Sequence, residues 1–354
     1  MLPTPTFHHV HLNSVNPDTA IDFYVRQFES TSSTTWGGLP ALQSPNNVLL
    51  LFDKVDALPP TTPQSAIWHY GWHVTDVRKK LTEYKARPEV TLMPLYTEPD
   101  NDGYVYINSD TWPNVGDVLG LTRTQIAEAK AQNIQPKGGG GFAYMRAPDG
   151  TLVEYIGDHP AERFNHVHMW QEEPFCAQLW YQKHLNAPAM AERASPMPVT
   201  EATCKVPRGT DRTWPSLTQD GMLRTPRAGV MFGDVAVQWY APQGSAALVS
   251  SRGQRYDHLA FGVADLDAWV AKLTGEGVTF LEKPYKLGDT RAVMIEGPSR
   301  EALELVEVKS LFCMGRTGSI TGSRFNVGSL GVQCLSAVLS QPPCPRRVER
   351  LNEK

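Results

Sequence analysis

Polar and apolar positions first sort into a pattern in FHHVHLNSVNPDTAIDFYVRQF, residues 7–28. The opening alternates with the two-residue period of a half-buried strand. Asn16 and Pro17 then mark a helix start, Asn as the cap and Pro in the first turn. Ile21, Tyr24, Val25 and Phe28 follow at helical spacing and form one apolar stripe. Residues 164–185, FNHVHMWQEEPFCAQLWYQKHL, repeat this strand-then-helix pattern without gaps. His9 falls on His166, His11 on His168, Pro17 on Pro174, Ala20 on Ala177 and Tyr24 on Tyr181.

A different pair repeats further along. HYGWHVTDV (69–77) and HLAFGVADL (258–266) share His, an aromatic three residues later, Val, Asp and an aliphatic residue. Each predicts a strand running into a helix, with Leu81 in one and Trp269 and Leu273 in the other facing inward. Each is followed by a strand ending in glutamate, APDGTLVEY (147–155) and GPSREALEL (297–305), where Pro148 stands to Glu154 as Pro298 does to Glu304. The chain thus reads as four strand-helix-strands modules, an α+β organisation in two halves. The first half is placed at 5–158 and the second at 163–309, with GDHPAER (157–163) as a short link. The His69-to-Glu154 interval far exceeds the His258-to-Glu304 interval, and the surplus falls in an insertion at 96–140 that ends in GGGG. Its length and its Tyr, Ile and Trp residues suit a lid, and a surface decoration fits nearly as well. A second insertion spans 190–228. Residues 310–354 lose the pattern and are expected to be a poorly ordered tail.

Composition narrows the picture. The 354 residues are 41% hydrophobic and 20% charged, the balance of a globular chain long enough for two cores. A formal net charge of −4 gives no general attraction to nucleic acid or an anionic membrane. No signal segment and no membrane span is read. The five cysteines are scattered, with no CxxC pair, so neither a disulfide framework nor a thiolate zinc site is expected, and a reducing cytoplasm fits best. The expected partner is a small-molecule substrate; oligomeric state is open.

The chemistry lies in the recurring residues. His9, His69 and Glu154 in the first half match His166, His258 and Glu304 in the second. Two imidazoles and a carboxylate make a facial site for a divalent ion, with Fe2+ favoured over Mn2+, Zn2+ or Ni2+, and leave positions open for substrate oxygens. A lone strand histidine is more often packed or solvated than a ligand. Packing alone, however, does not ask for the same residue types at matched places. His11, His73 and His168 follow the expected ligands at spacings that return to the same strand face. They are candidate acid–base groups, or else orient the ligands.

The HVxL opening, the HxxFxVxDV segment and the PDGxLxE turn resemble the vicinal oxygen chelate superfamily, which includes glyoxalase I, fosfomycin and bleomycin resistance proteins and extradiol dioxygenases. The resemblance covers most of 5–158 and 163–309. It implies paired βαβββ modules, each pair closing a curved sheet around one metal, with the two trios at the ligand positions. Glyoxalase I enzymes usually add a glutamate from the last strand of the first module. Here NNVLLLFDK (46–54) looks apolar, and DVAVQWY (234–240) offers only Gln238. AYMRAPDGTLVE (143–154) is close to the extradiol pattern and places Tyr144 near a metal-bound substrate. The second half has Met294 at the matching place, and the extradiol histidine before the Tyr is missing from QNIQPKGGGG.

The leading expectation is therefore a metal-dependent oxidoreductase of extradiol-dioxygenase type acting on a small vicinal-oxygen substrate, an aromatic one among the candidates. The alternative is a glyoxalase-like isomerase or lyase of the lactoylglutathione lyase type. A non-catalytic binding or resistance protein is the third reading; retention of both His/Glu sets argues against it.

Overall fold

The computed structural model describes residues 2–93, 142–157, 159–191, 198–207, 222–242 and 246–308, with short pieces at 95–96, 106–107, 128, 131–132 and 213–215. The tail and most of the 96–140 insertion, with the lid reading attached to it, lie outside the described residues.

All four modules are βαβββ. The first runs through β1 (Thr6–Ser14), α1 (Pro17–Gln27), β2 (Ser32–Trp36), β3 (Leu39–Gln43) and β4 (Leu49–Lys54). The second has β5 (Ile67–His73), α2 (Val77–Lys85), β6 (Thr91–Met93), a side ladder of β7 (Leu95–Tyr96) and β8 (Tyr106–Ile107), then β9 (Phe142–Arg146) and β10 (Leu152–Ile156). The third has β11 (Arg163–Trp170), α3 (Pro174–Leu185), β12 (Thr213–Pro215), β13 (Met222–Phe232) and β14 (Val235–Pro242). The fourth has β15 (Tyr256–Val263), α4 (Leu266–Gly275), β16 (Phe280–Leu287), β17 (Thr290–Glu296) and β18 (Ala302–Glu307).

The local signals act as expected. Asn16 Oδ1 accepts from the Thr19 amide at 3.2 Å, and Pro17 opens α1. The Asp that recurs in the HxxxxVxD segments is a helix cap: Asp76 accepts from Lys79 N and Asp265 from Ala268 N, each at 2.9 Å. Ile21, Tyr24, Phe28, Leu81, Trp269 and Leu273 are buried.

The modules pair in an order the halves do not suggest. One eight-stranded sheet runs β16-β17-β18-β15-β1-β4-β3-β2, joining the fourth module to the first. The other runs β12-β13-β14-β11-β5-β10-β9-β6, joining the third to the second. The expectation that each half closes its own sheet is corrected. Chain connection explains the outcome. β10 is parallel to β5, and β11 is antiparallel to β5 on its other side, with Arg163 opposite His73. The short 157–162 link therefore needs only to cross the end of β5, two strand spacings of about 4.8 Å each.

Each half is held together instead by buried helix contacts that bridge the two sheets. Tyr24 on α1 bonds Thr151 Oγ1 at 2.9 Å and also reaches Tyr70, and Tyr181 on α3 donates to Glu301 Oε1 at 2.8 Å. One hydrophobic core runs between the two sheets, with Phe7 stacked on Phe164 and Phe232 against Phe261. Cys176 on α3 is disulfide-bonded to Cys204, which corrects the expectation of no disulfide and ties the 190–228 insertion to the helix. Among the described residues no helix is long and apolar enough to cross a membrane.

Candidate metal centres

The centre of each sheet is an antiparallel pair drawn from opposite halves, β1 with β15 and β5 with β11. The histidines sit on these four strands. In the first sheet, His9 and His258 meet Glu304 from β18. His9 Nε2 is 3.3 Å and His258 Nε2 3.7 Å from Glu304 Oε2. His11 stacks on His258 with ring centroids 4.4 Å apart. In the second sheet, His69 and His166 meet Glu154 from β10. His69 Nε2 is 2.9 Å and His166 Nε2 3.3 Å from Glu154 Oε2. His168 Nδ1 lies 2.9 Å from His69 Nε2 and 3.7 Å from Glu154 Oε2. All these residues are buried.

Every expected ligand thus enters a cluster, but the trios are regrouped. His9, His69 and Glu154 do not meet, nor do His166, His258 and Glu304. The sets are His9, His258 and Glu304, and His69, His166 and Glu154. The exchange follows from the sheet pairing. Of the acid–base candidates, His11 and His168 join the clusters. His73 does not: it is half-buried at the end of β5 and stacks on His159 at 4.5 Å, because four residues of extended strand set it about 13 Å along from His69.

A shared backbone device orients the imidazoles. The β1–β15 ladder shifts register at His8 and at Asp257, and the β5–β11 ladder at Asn165 and at Trp68. Each bulged residue immediately precedes a ligand histidine. A bulge breaks strand alternation, so neighbours come to the same side. Three of the four hold the following ring: His8 Nδ1 is 2.8 Å from His9 Nδ1, Asn165 Oδ1 2.6 Å from His166 Nδ1 and Asp257 Oδ1 2.6 Å from His258 Nδ1. That fixes Nδ1 and leaves Nε2 facing the cluster, the outer-shell arrangement of metal-binding histidines. Gly71 lies opposite His166, and a Cβ there would fall 2.3 Å from His166 Cε1, so only glycine admits the ring.

The residues fit a metal. His9, His166 and His258 Nε2 and Glu304 Oε2 are buried without a hydrogen-bond partner among the described residues, a cost that a bound cation removes. Burial drives His9 well below and His69 below the ordinary histidine range, which keeps both neutral as ligands must be. Burial opposes ionisation of Glu154, yet His166, His69 and His168 hold it well below the usual carboxylate range. His258 differs: burial works against its charge, but Asp257 and Glu304 raise it to about 9.

Tyr144 is expected from the sequence beside a metal-bound substrate, whereas three other residues of the clusters, Tyr285, Asp53 and Asp257, escaped it. Tyr144 sits across the ladder from Glu154 and hydrogen-bonds it, and burial raises its phenol well above the ordinary range. Met294 does occupy the matching place opposite Glu304, but Tyr285 on the neighbouring β16 donates to Glu304 Oε1 instead. Asp53, at the end of the apolar β4, places Oδ2 3.3 Å from His11 Nε2. Asp257 is the third, and its only sequence signal was a polar residue directly before a ligand histidine.

No family model matches the sequence, and no curated protein matches it. Among solved structures the chain is similar to glyoxalase I from Zea mays, with a TM-score of 0.51 and 15% identity over 85% of this chain and 92% of that chain. A point variant of the maize protein matches with a TM-score of 0.51 and 15% identity over 86% of this chain and 94% of that chain. At this identity the likeness speaks for the fold, and the chain has the tandem vicinal oxygen chelate fold.

Proposed function

We propose that the protein is a metal-dependent oxidoreductase of extradiol-dioxygenase type acting on a small substrate with two adjacent oxygens. The observation that carries the reading is the set of His9, His258 and Glu304, whose buried donor atoms converge, with His9 Nε2 3.3 Å and His258 Nε2 3.7 Å from Glu304 Oε2. A divalent ion held there supplies a Lewis acid for the paired substrate oxygens and, when it is iron, a route for electrons to dioxygen. The chain's own groups do the rest. Tyr285 fixes the Glu304 carboxylate, Asp257 fixes the His258 ring, and the neutral His11 imidazole takes up a proton from a bound substrate hydroxyl.

The second reading is a glyoxalase-like isomerase or lyase, and the shared fold with maize glyoxalase I supports keeping it. Oxygen uptake separates the two. Iron-loaded protein consuming oxygen with a panel of catechols supports the dioxygenase. Turnover of a thiohemiacetal with nickel or zinc, and no oxygen uptake, supports the isomerase.

A further inference from the structure

We infer that the two centres are not equivalent: the β5–β11 centre is a closed four-ligand site completed by His168, and the β1–β15 centre is the open one. The inference rests on the metal reading above and adds a division of roles to it.

The argument starts from the second histidine of each HxH. His11 and His168 occupy matching positions and both lie on the cluster side of their strands. What faces them on the neighbouring strand differs. β1 pairs with β4 so that His11 is opposite Leu51, and β11 pairs with β14 so that His168 is opposite Gln238. Two residues further along stand Asp53 in one sheet and Tyr240 in the other.

Asp53 is a half-exposed carboxylate, and it takes His11 Nε2 at 3.3 Å. That contact ties one ring nitrogen of His11 to a carboxylate outside the cluster. Tyr240 presents its ring to His168, 5.2 Å away and roughly perpendicular to it. His168 turns its Nδ1 into the cluster.

Distances bear this out. His69, Glu154, His166 and His168 each offer one atom, and all four atoms lie within 4.8 Å of one another. Four of the separations are 2.9, 2.9, 3.3 and 3.7 Å. A tetrahedral shell with bonds of about 2.0–2.1 Å has edges of about 3.3–3.4 Å, so small shifts seat an ion among all four. In the other sheet the corresponding group is His9, His11 and His258, and Glu304 does not complete a foursome with His11. A closed four-ligand shell is the mark of a structural ion, and a three-ligand shell with open positions that of a reactive one.

Cobalt substitution reads coordination directly, because four-coordinate Co2+ absorbs visible light far more strongly than five- or six-coordinate Co2+. The full chain, stripped of metal and titrated with Co2+, is expected to bind two ions, of which the tighter gives the intense band. His168→Ala should abolish that band and weaken that site by roughly tenfold or more. His11→Ala should leave the band unchanged. Asp53→Ala, at a half-exposed position that tolerates change, should release His11 and give the second ion an intense band as well. Circular dichroism of each variant checks folding, and Asp53→Ala tests the idea independently if His168→Ala fails to fold. Two ions with the same weak band, or an intense band that survives His168→Ala in a folded protein, would overturn the division while leaving the metal reading intact. No cobalt bound at all would overturn both.

Discussion

His9 Nε2 lies 3.3 Å from Glu304 Oε2, although His9 belongs to the first module and Glu304 to the last. The mirror of that contact, His166 with Glu154, joins the third module to the second. Each candidate centre therefore depends on both halves of the chain, and neither half alone holds a full ligand set. Separate expression of 5–158 and 163–309 should give fragments that bind no metal tightly. Mixing them should restore two sites per pair, read by elemental analysis.

Gly71→Ala should empty one centre and spare the other. The new Cβ would meet His166 Cε1 at 2.3 Å, and the ring must leave its place. Overpacking of this kind costs about 1–3 kcal/mol of stability. The expected outcome is one metal lost per chain, with the His9, His258 and Glu304 centre still loaded. Loss of neither ion would show that His166 is not a ligand.

Much of the site was legible in the sequence because it recurs. The duplicated HxH, the recurring His69 and His258 and the two glutamates marked every candidate ligand, and the capping Asp76 and Asp265 marked the helices that follow. Partner choice was not legible, since a repeat shows which modules are alike and not which strands hydrogen-bond. That information resides in the short 157–162 link and its geometry at the end of β5. Tyr285 was hidden for a similar reason: it reaches Glu304 from β16, across the intervening β17, and no spacing within β17 and β18 announces it. Asp53 was passed over because the five residues before it are apolar.

Asp257→Asn should weaken the β1–β15 centre by roughly 10–100-fold, the usual effect of losing an outer-shell carboxylate. With Asp257 and Glu304 beside it, His258 titrates at about 9 and carries a proton at neutral pH before metal binds. Loading that centre must displace the proton, so binding tightens as pH rises toward 9. In Asp257→Asn the imidazole titrates lower, and the pH dependence of metal affinity should flatten. Calorimetry in buffers of different ionisation enthalpy measures the released proton.

Glu301 gives stability its own pH dependence. It is fully buried, and burial pushes its carboxyl up to about 7 despite donors from Tyr181, Gln171 and the Ser299 amide. A carboxyl raised in the folded state favours folding below its ordinary value near 4.5, and that contribution is lost as pH rises through about 7. The loss is on the order of 3 kcal/mol. Denaturation midpoints should therefore fall between pH 5 and pH 8 in the native chain, and less steeply in Glu301→Gln.

The Cys176–Cys204 bond closes a loop with a sequence separation of 28 residues. A cross-link of that span contributes about 2–4 kcal/mol through the unfolded state. Non-reducing peptide mapping should find the two cysteines in one linked fragment, and reduction should lower the unfolding midpoint accordingly. An unlinked pair in oxidised protein would contradict the assignment.

Metal content of two double variants tests the exchange of ligands between halves most directly. His9→Ala with Glu304→Ala should remove both changes' worth of ligands from one centre and leave one ion per chain. His9→Ala with Glu154→Ala should damage both centres and leave none bound tightly. The reverse pattern, one ion kept when His9 and Glu154 are lost together and none when His9 and Glu304 are, would show that each half builds its own site and would contradict the account.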